Sequence, residues 1–209
     1  MKRFTFFSII TIFILSTTRS HAQTCMLTCP ANIVVKADSS KEGAIVNYPP
    51  ATVTGECGII TYSPVSGSFF RIGSHSITAT SAVGQKCSFT ITVTDNESPV
   101  LSVVTLSSKK IWPPSGKLKK VAVYYTASDN AEEVNSVLTV KSNDTQSTTR
   151  DWEVVNNHLL RLKASRLPDG EARVYTITVT SSDVAGNTTR RTTSIVVSKT
   201  MVVQDVVMK

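Results

Sequence analysis

The stretch Cys87–Leu101, CSFTITVTDNESPVL, decides how the chain is organised. Its first half alternates strictly between Ser or Thr and apolar residues, the apolar ones being Phe89, Ile91 and Val93. A period of two rich in β-branched residues predicts a half-buried strand, opened by a cysteine that anchors it covalently. The polar segment Asp95–Pro99 ends in a proline, and a new apolar run begins at Val100. We therefore predict that one β-module ends here and a second begins.

The N-terminal segment, residues 1–22, has the parts of a secretory signal peptide. Lys2 and Arg3 precede a short apolar run, and a small-x-small site ends at Ala22. The run is too short to cross a bilayer comfortably, and no second one follows. We predict cleavage after Ala22, secretion to the medium or the cell surface, and no transmembrane segment in the mature chain.

The chain contains four cysteines, and all of them lie in its first half: Cys25, Cys29, Cys57 and Cys87. An even number of cysteines in an exported chain indicates disulfides. A metal site is the weaker alternative, because no Cys-x-x-Cys pair exists and the mature chain keeps only His75 and His158. The sequence therefore predicts disulfides, with no bound metal and no cofactor.

Short runs of strand-forming residues follow one another along the chain, separated by Gly, Pro, Asn and Ser, and none has helical periodicity. The strands predicted before Pro99 are Asn32–Ala37, Gly43–Tyr48, Ala51–Thr54, Ile59–Ser63, Ser76–Ser81 and Ser88–Thr94. Those predicted after it are Leu101–Ser107, Lys119–Ser128, Val134–Lys141, Trp152–Val155, Leu159–Ala164, Ala172–Ser181 and Thr188–Ser198. This pattern indicates two β-sandwiches, the first module at residues 23–98 and the second at 99–198, followed by a tail at 199–209.

A sandwich of roughly 75 residues is near the lower size limit, where covalent links help most. A disulfide between Cys29 and Cys87 would tie the first predicted strand of the first module to its last. Closing that loop of about 58 residues contributes on the order of 4 kcal/mol in the chain-entropy model.

Five segments of the first module resemble the hyalin repeat, in the order in which that family has them. They are Cys29–Ile33, Gly43–Tyr48, Cys57–Gly58, Gly67–Gly73 and Cys87–Val93. The resemblance implies an immunoglobulin-like β-module of secreted and cell-surface proteins implicated in adhesion. The family often has a cysteine just before the second segment, where this chain has Lys41-Glu42. Cys25 is then an additional cysteine, and we expect it to pair with Cys57.

The second module is similar to an immunoglobulin-like module that follows hyalin repeats in large secreted bacterial proteins. The similar segments are Ile111–Pro114, Asp151–Val154, Arg173–Val179 and Asp183–Asn187. That module brings no known activity. The two halves also repeat each other, because Ile77–Gln85 and Ile177–Asn187 both read as a strand followed by a glycine-containing turn. The predicted fold class is thus all-β, with two tandem immunoglobulin-like β-sandwich domains.

The formal net charge of +7 falls by three, to +4, when the signal segment is removed. The excess lies in the second module, where Lys117, Lys119 and Lys120 form the one dense cluster. A true patch there would attract polyanions such as heparin. Dispersed solvated charges are the simpler interpretation, and no nucleic-acid partner is expected.

No catalytic constellation is found in the sequence, and we predict that the chain is not an enzyme. His75 and His158 lie outside any nucleophile-elbow or zinc-site context and read as surface residues. Trp112 and Trp152 are candidate stacking platforms for sugar rings, although Trp152 in the core and Trp112 packed on its prolines is the favoured interpretation.

Three acidic loops supply oxygen atoms of the kind that calcium binds: Asp95–Glu97, Asp129–Asn130 and Asp183–Asn187. Ordinary turn chemistry is the favoured interpretation of each loop, since Asp and Asn side chains satisfy turn backbones. Calcium held by Asp95 and Glu97 is an alternative that would stiffen the seam between the modules.

These observations favour a non-catalytic extracellular binding or adhesion module, with an extracellular protein or glycan as partner and with ligand-binding residues unassigned. The alternative is a spacer or stalk segment of the cell surface that has no ligand of its own. An exposed aromatic or basic patch would favour binding, and uniformly polar faces would favour the spacer.

Overall fold

The computed structural model describes residues 24–130, 133–148 and 150–199. The predicted signal peptide and all but the first residue of the predicted tail lie outside these ranges. The described residues form eighteen strands and no helix. Within these ranges, no helix is long and apolar enough to cross a membrane. The predicted all-β fold class is confirmed.

The first module contains eight strands. They are β1 (Met26–Thr28), β2 (Ile33–Lys36), β3 (Gly43–Val46), β4 (Thr52–Thr54), β5 (Ile60–Ser63), β6 (Ser68–Arg71), β7 (Gly73–Ser81) and β8 (Lys86–Thr94). Its main sheet has the order β2-β8-β7-β5, and the pairs β3-β6 and β1-β4 complete the fold. The alternation predicted for β8 is observed, because Phe89, Ile91 and Val93 are buried in one hydrophobic core while the residues between them are not.

Two disulfides lie in the first module. Cys29 is joined to Cys87, which links the segment before β2 to the start of β8. Cys25 is joined to Cys57 across the β1-β4 pair, and both of these cysteines are buried. All four cysteines are thus used, and each bond closes a loop between distant parts of the chain.

The second module contains ten strands. They are β9 (Val100–Leu101), β10 (Thr105–Leu106), β11 (Lys110–Ile111), β12 (Leu118–Tyr124), β13 (Ala127–Ser128), β14 (Val134–Ser142), β15 (Trp152–Asn156), β16 (Leu159–Lys163), β17 (Arg173–Asp183) and β18 (Thr188–Val197). Two four-stranded sheets, β10-β12-β16-β15 and β11-β18-β17-β14, enclose a second hydrophobic core, and β9 pairs with β13.

One four-stranded sheet has the same strand order in both modules, β2-β8-β7-β5 in the first and β11-β18-β17-β14 in the second. In each, the last strand pairs antiparallel with the preceding strand and parallel with an early one, as β8 does with β2 and β18 with β11. The turns that close the last hairpins also correspond. The Gly84 and Gly186 amides donate to the Ser81 and Asp183 carbonyls, and both glycines have positive φ. The internal repeat read from the sequence is therefore a structural repeat.

The observed strands differ from those predicted in two ways. The single strands predicted for Leu101–Ser107 and Lys119–Ser128 are each divided into two short strands. Strands β1, β6 and β11 were not predicted. Each has only two to four residues, too few for a period of two to be recognised.

Candidate functional site

The five residues between β8 and β9 are fastened to the first module. The Glu97 carboxylate accepts hydrogen bonds from the Ser39 hydroxyl at 2.9 Å and from the Ser40 amide at 3.0 and 3.1 Å. The Glu97 amide donates to Asp95 Oδ1 at 3.0 Å. Pro99 is fully buried. The linker therefore lies along the first module and is not a free tether.

A hydrogen bond crosses from one module to the other at the same place. Asn130 Nδ2, in the loop after β13, donates to the carbonyl oxygen of Lys41 at 2.9 Å. A cavity of about 470 Å³ opens beside this bond, and it is lined by residues of both modules. Its polar lining comes mainly from Glu42, Asp95, Asn130 and Glu133, and Arg71 is the cation among the described lining residues.

The three acidic loops singled out in the sequence meet at this seam. Asp95, Asp129 and Asp183 each place a carboxylate oxygen within 4.8 Å of those of the other two. We call these residues the seam carboxylates. Asp95 and Asp129 are half-buried, and Asp183 is buried with 8% of its surface exposed. Glu97 does not share in this group, because its carboxylate is bound to the serines of the first module.

The turn after β17 holds Asp183 in place. Its Oδ1 accepts a hydrogen bond from the Asn187 amide and its Oδ2 from Asn187 Nδ2, both at 2.8 Å. In the corresponding turn of the first module the Ser81 hydroxyl accepts the same amide bond, from Gln85 at 2.9 Å. A single side-chain acceptor, such as the Ser81 hydroxyl, is thus enough for the backbone of this turn. Asp183 has a second carboxylate oxygen that the turn's backbone does not require.

A buried ionic network lies inside the second module, and no pattern in the sequence predicts it. Arg173 is only 5% exposed. Its guanidinium bonds to Asp144 at 2.5 Å and to Asp151 at 3.1 Å, and Lys163 reaches Asp151 at 2.9 Å. The Tyr175 hydroxyl donates to the carbonyl of Lys163 at 3.0 Å. Four segments of the chain are joined by these contacts.

The Asp151 carboxyl shows the electrostatic effect of the network. Burial opposes its ionisation, but a hydrogen bond from Lys163, another from the Thr148 amide and the nearby charge of Arg173 outweigh that effect. The pKa of Asp151 therefore lies below its ordinary value of 3.8. This arrangement stabilises the ionised form of the Asp151 carboxyl.

The two histidines are placed as surface residues. His75 Nε2 lies 2.7 Å from the Arg71 carbonyl oxygen, and its ring packs against Phe70. His158 lies in the turn between β15 and β16, where Nδ1 is 3.1 Å from the Val123 carbonyl oxygen. In both residues a ring nitrogen is engaged with the backbone, and neither is paired with a nucleophile.

Trp152 follows the favoured interpretation, and the packing of Trp112 on its prolines stays a prediction. Trp152 packs against the second core, with its ring 6.4 Å from that of Tyr175, and Trp112 is 44% exposed in a loop. The lysine cluster is exposed, but Lys119 and Lys120 are neighbours on β12 and therefore point to opposite faces. Lysines that are adjacent in the sequence are therefore separated onto the two faces of the strand.

One apolar pair is exposed on the first module. Ile45 on β3 and Phe69 on β6 are directly opposite each other and are 62% and 48% exposed. The Phe69 ring covers Gly43, where a Cβ atom would lie 2.8 Å from Cζ of the ring and 2.0 Å from the Phe70 carbonyl oxygen. Glycine is therefore required under the ring.

Residues 22–93 match the sequence model of the HYR domain, which covers about a third of the chain. The hyalin-repeat resemblance is thereby confirmed for the first module. The match ends before the second module, whose likeness to a bacterial immunoglobulin-like module stays a prediction. A comparison with curated proteins gives no match.

Several solved extracellular domains resemble the whole chain loosely. Extracellular cadherin domains 1–4 of protocadherin gamma B7 align over 84% of this chain and 50% of theirs, at 18% identity and a TM-score of 0.36. Domains 3–5 of Drosophila OTK align over 82% and 61%, at 11% identity and 0.42. Human mucin-like protocadherin EC1-2 aligns over 84% and 97%, at 14% identity and 0.37. This chain thus spans about half of the first structure, and at such TM-scores no function follows.

Proposed function

We propose that the chain is a secreted, non-catalytic binding segment of an adhesion-type extracellular protein. The observation that carries the proposal is the HYR-domain match over residues 22–93 in a module that holds two disulfides. Disulfides of this kind persist in oxidising compartments, outside the cytosol. Family membership of one module supports an extracellular role and leaves the ligand to be found by experiment.

The exposed Ile45–Phe69 pair favours binding over a purely structural role. Two large apolar side chains lie side by side on the outer face of β3 and β6. Beside them lies the ion pair of Glu42 and Arg71, whose charged atoms are 3.1 Å apart. An aromatic and an aliphatic residue within a polar rim resemble the centre of a protein–protein contact more than a sugar site, which needs converging hydrogen-bond donors and acceptors. The proposed partner is accordingly a protein.

A spacer segment is the second candidate, and a different observation supports it. The outer face of the main sheet of the first module is rich in hydroxyl side chains that bond to one another, as Ser74 does with Thr92 and Thr78 with Ser88. Such surfaces stay solvated and present little apolar area. The fastened linker also suits a segment that holds other parts of a protein at a fixed distance.

Binding of the exported chain to whole cells, to extracellular protein fractions and to a glycan array separates these candidates. Phe69→Ser should reduce protein binding at least tenfold, since truncating an aromatic anchor removes about 2 kcal/mol or more. Val103→Ser is the matched control, because Val103 is 76% exposed and belongs to the second module. Binding on the glycan array alone would contradict a protein partner, and the absence of binding in all three formats would support the spacer.

A further inference from the structure

We propose that the seam between the two modules is a calcium site formed by Asp95, Asp129 and Asp183 together with the side-chain oxygen of Asn130. Calcium binds six to eight oxygen atoms at about 2.3–2.6 Å. Two oxygens bound to one such ion are therefore at most about 5 Å apart. The seam carboxylates meet this condition, with one oxygen of each residue within 4.8 Å of the other two.

A second observation points to a ligand independently of the carboxylate cluster. Asp95 Oδ2 and Asn130 Oδ1 each expose less than 1 Å² to solvent and have no hydrogen-bond partner in the described structure. Both residues line the seam cavity. A buried oxygen without a partner costs about 1–3 kcal/mol, and more when it is charged. A cation in the cavity is the kind of group that satisfies both atoms.

The orientation of these two oxygens is fixed by neighbouring contacts. Asn130 Nδ2 donates to the Lys41 carbonyl, which can only accept, so the amide oxygen must face the other way. Asp95 Oδ1 is occupied by the Glu97 amide, so Oδ2 is the atom left for a ligand. Asp183 keeps free acceptor capacity, since each carboxylate oxygen has two lone pairs and accepts one bond from Asn187.

The seam concentrates negative charge. In the described part of the chain, neither Asp95 nor Asp183 forms an ion pair with a lysine or arginine, and Arg71 is committed to Glu42 at 3.1 Å. Hard oxygen ligands with negative charge select calcium or magnesium. Magnesium requires near-octahedral geometry at about 2.1 Å and keeps several of its water ligands, whereas calcium accepts six to eight oxygens in flexible geometry, so several protein oxygens supplied by loops favour calcium.

A bound ion would connect the modules. Asp95 belongs to the linker that lies on the first module, whereas the loops of Asp129, Asn130 and Asp183 belong to the second. An ion shared between them restrains bending at the linker. The proposed calcium site lies at the joint between the modules, so it does not depend on which partner the chain binds.

Titration of the exported chain with CaCl₂, followed by calorimetry and thermal unfolding, tests the proposal. We expect one ion per chain, a Kd of about 10⁻⁴–10⁻³ M, as in other extracellular modules, and a higher Tm in 10 mM CaCl₂. Asp95→Asn should weaken binding at least about tenfold, because affinity follows the number of charged ligands. MgCl₂ at the same concentration should give a smaller rise in Tm.

Asp169→Asn is the matched control. The Asp169 carboxylate accepts a hydrogen bond from the Glu171 amide, just as Asp95 accepts one from the Glu97 amide. Asp169 is not one of the seam carboxylates. Asparagine preserves that bond in both variants, so both should fold and only Asp95→Asn should lose the calcium response. Asp183→Asn provides a second variant. The absence of binding by the unmodified chain at 10 mM, or unchanged binding in both seam variants, would overturn the proposal.

Discussion

Replacing Arg173 by methionine should strongly destabilise the second module. Arg173 is 5% exposed, and the side chains of its partners Asp144 and Asp151 are 8% and 9% exposed. Removing one member of a buried ion pair leaves an uncompensated charge and costs about 3–5 kcal/mol. Asp151 retains Lys163 at 2.9 Å, so the main loss falls on Asp144. For a domain of about 100 residues this loss corresponds to a fall in Tm of at least about 12 °C.

Urea unfolding followed by tryptophan fluorescence measures this effect in one module alone. Both tryptophans of the chain, Trp112 and Trp152, belong to the second module, and Trp152 packs beside Tyr175. The first module contributes no tryptophan signal. We expect the midpoint of the transition to fall for Arg173→Met while its steepness stays unchanged.

Arg161→Met is the matched control, since it makes the same substitution at an exposed pair. Arg161 lies 2.9 Å from Glu153, with side-chain exposures of 40% and 48%, and such a pair contributes at most about 1 kcal/mol. The double variant Arg173→Met/Asp144→Leu should recover much of the lost stability, because it removes the stranded charge. Equal losses for Arg173→Met and Arg161→Met would refute the argument that burial makes the difference.

The remaining predictions concern acid, the disulfides and polyanions. Because the pKa of Asp151 is lower in the folded protein than its ordinary value of 3.8, its ionised carboxylate stabilises the fold above that pH, and this stability is lost as the pH falls through the folded-state pKa. In urea titrations, the difference in unfolding free energy between the unmodified chain and Asp151→Asn should therefore be smaller at pH 3 than at pH 7. Peptide mapping without reduction should recover Cys29 bonded to Cys87, and replacing both by alanine should cost the first module about 4 kcal/mol; free thiols at both positions would contradict the pairing. Because the strand geometry separates Lys119 from Lys120, the exported chain should elute from heparin at or below physiological salt, and retention well above it would indicate a continuous basic patch.

The fold could be predicted from the sequence because its longest strands carry a strong local signal. In β8 and β17 apolar side chains recur at every second position along the middle of the strand, and those side chains are the buried ones. A strand as short as β11, with two residues, forms because it pairs with β18 and not because of its own sequence. Such pairing is a tertiary contact, and a local sequence pattern does not reveal it.

The seam and the buried network show where local reasoning stops. Each acidic loop reads correctly as a turn, since the Asp95 and Asp183 side chains do bond to nearby backbone amides. Their meeting depends on how the second module docks against the first. Likewise, Arg173 and Asp144 are separated by 29 residues, and neither is flanked by a pattern that predicts a buried charge. Sequence reasoning found the groups at the seam but could not find their assembly.

The Cys29–Cys87 bond also determines how the chain would respond to tension. A pull applied at the two ends passes directly from Cys29 to Cys87, so the intervening chain, which spans a sequence separation of 58, carries no load. Those residues would otherwise release about 200 Å of contour length on unfolding. Only the second module, which has no disulfide among its described residues, can then lengthen substantially. In that module the parallel β11–β18 pair places its hydrogen bonds across the direction of pull. Under force the first module acts as a short inextensible link and the second as the extensible one.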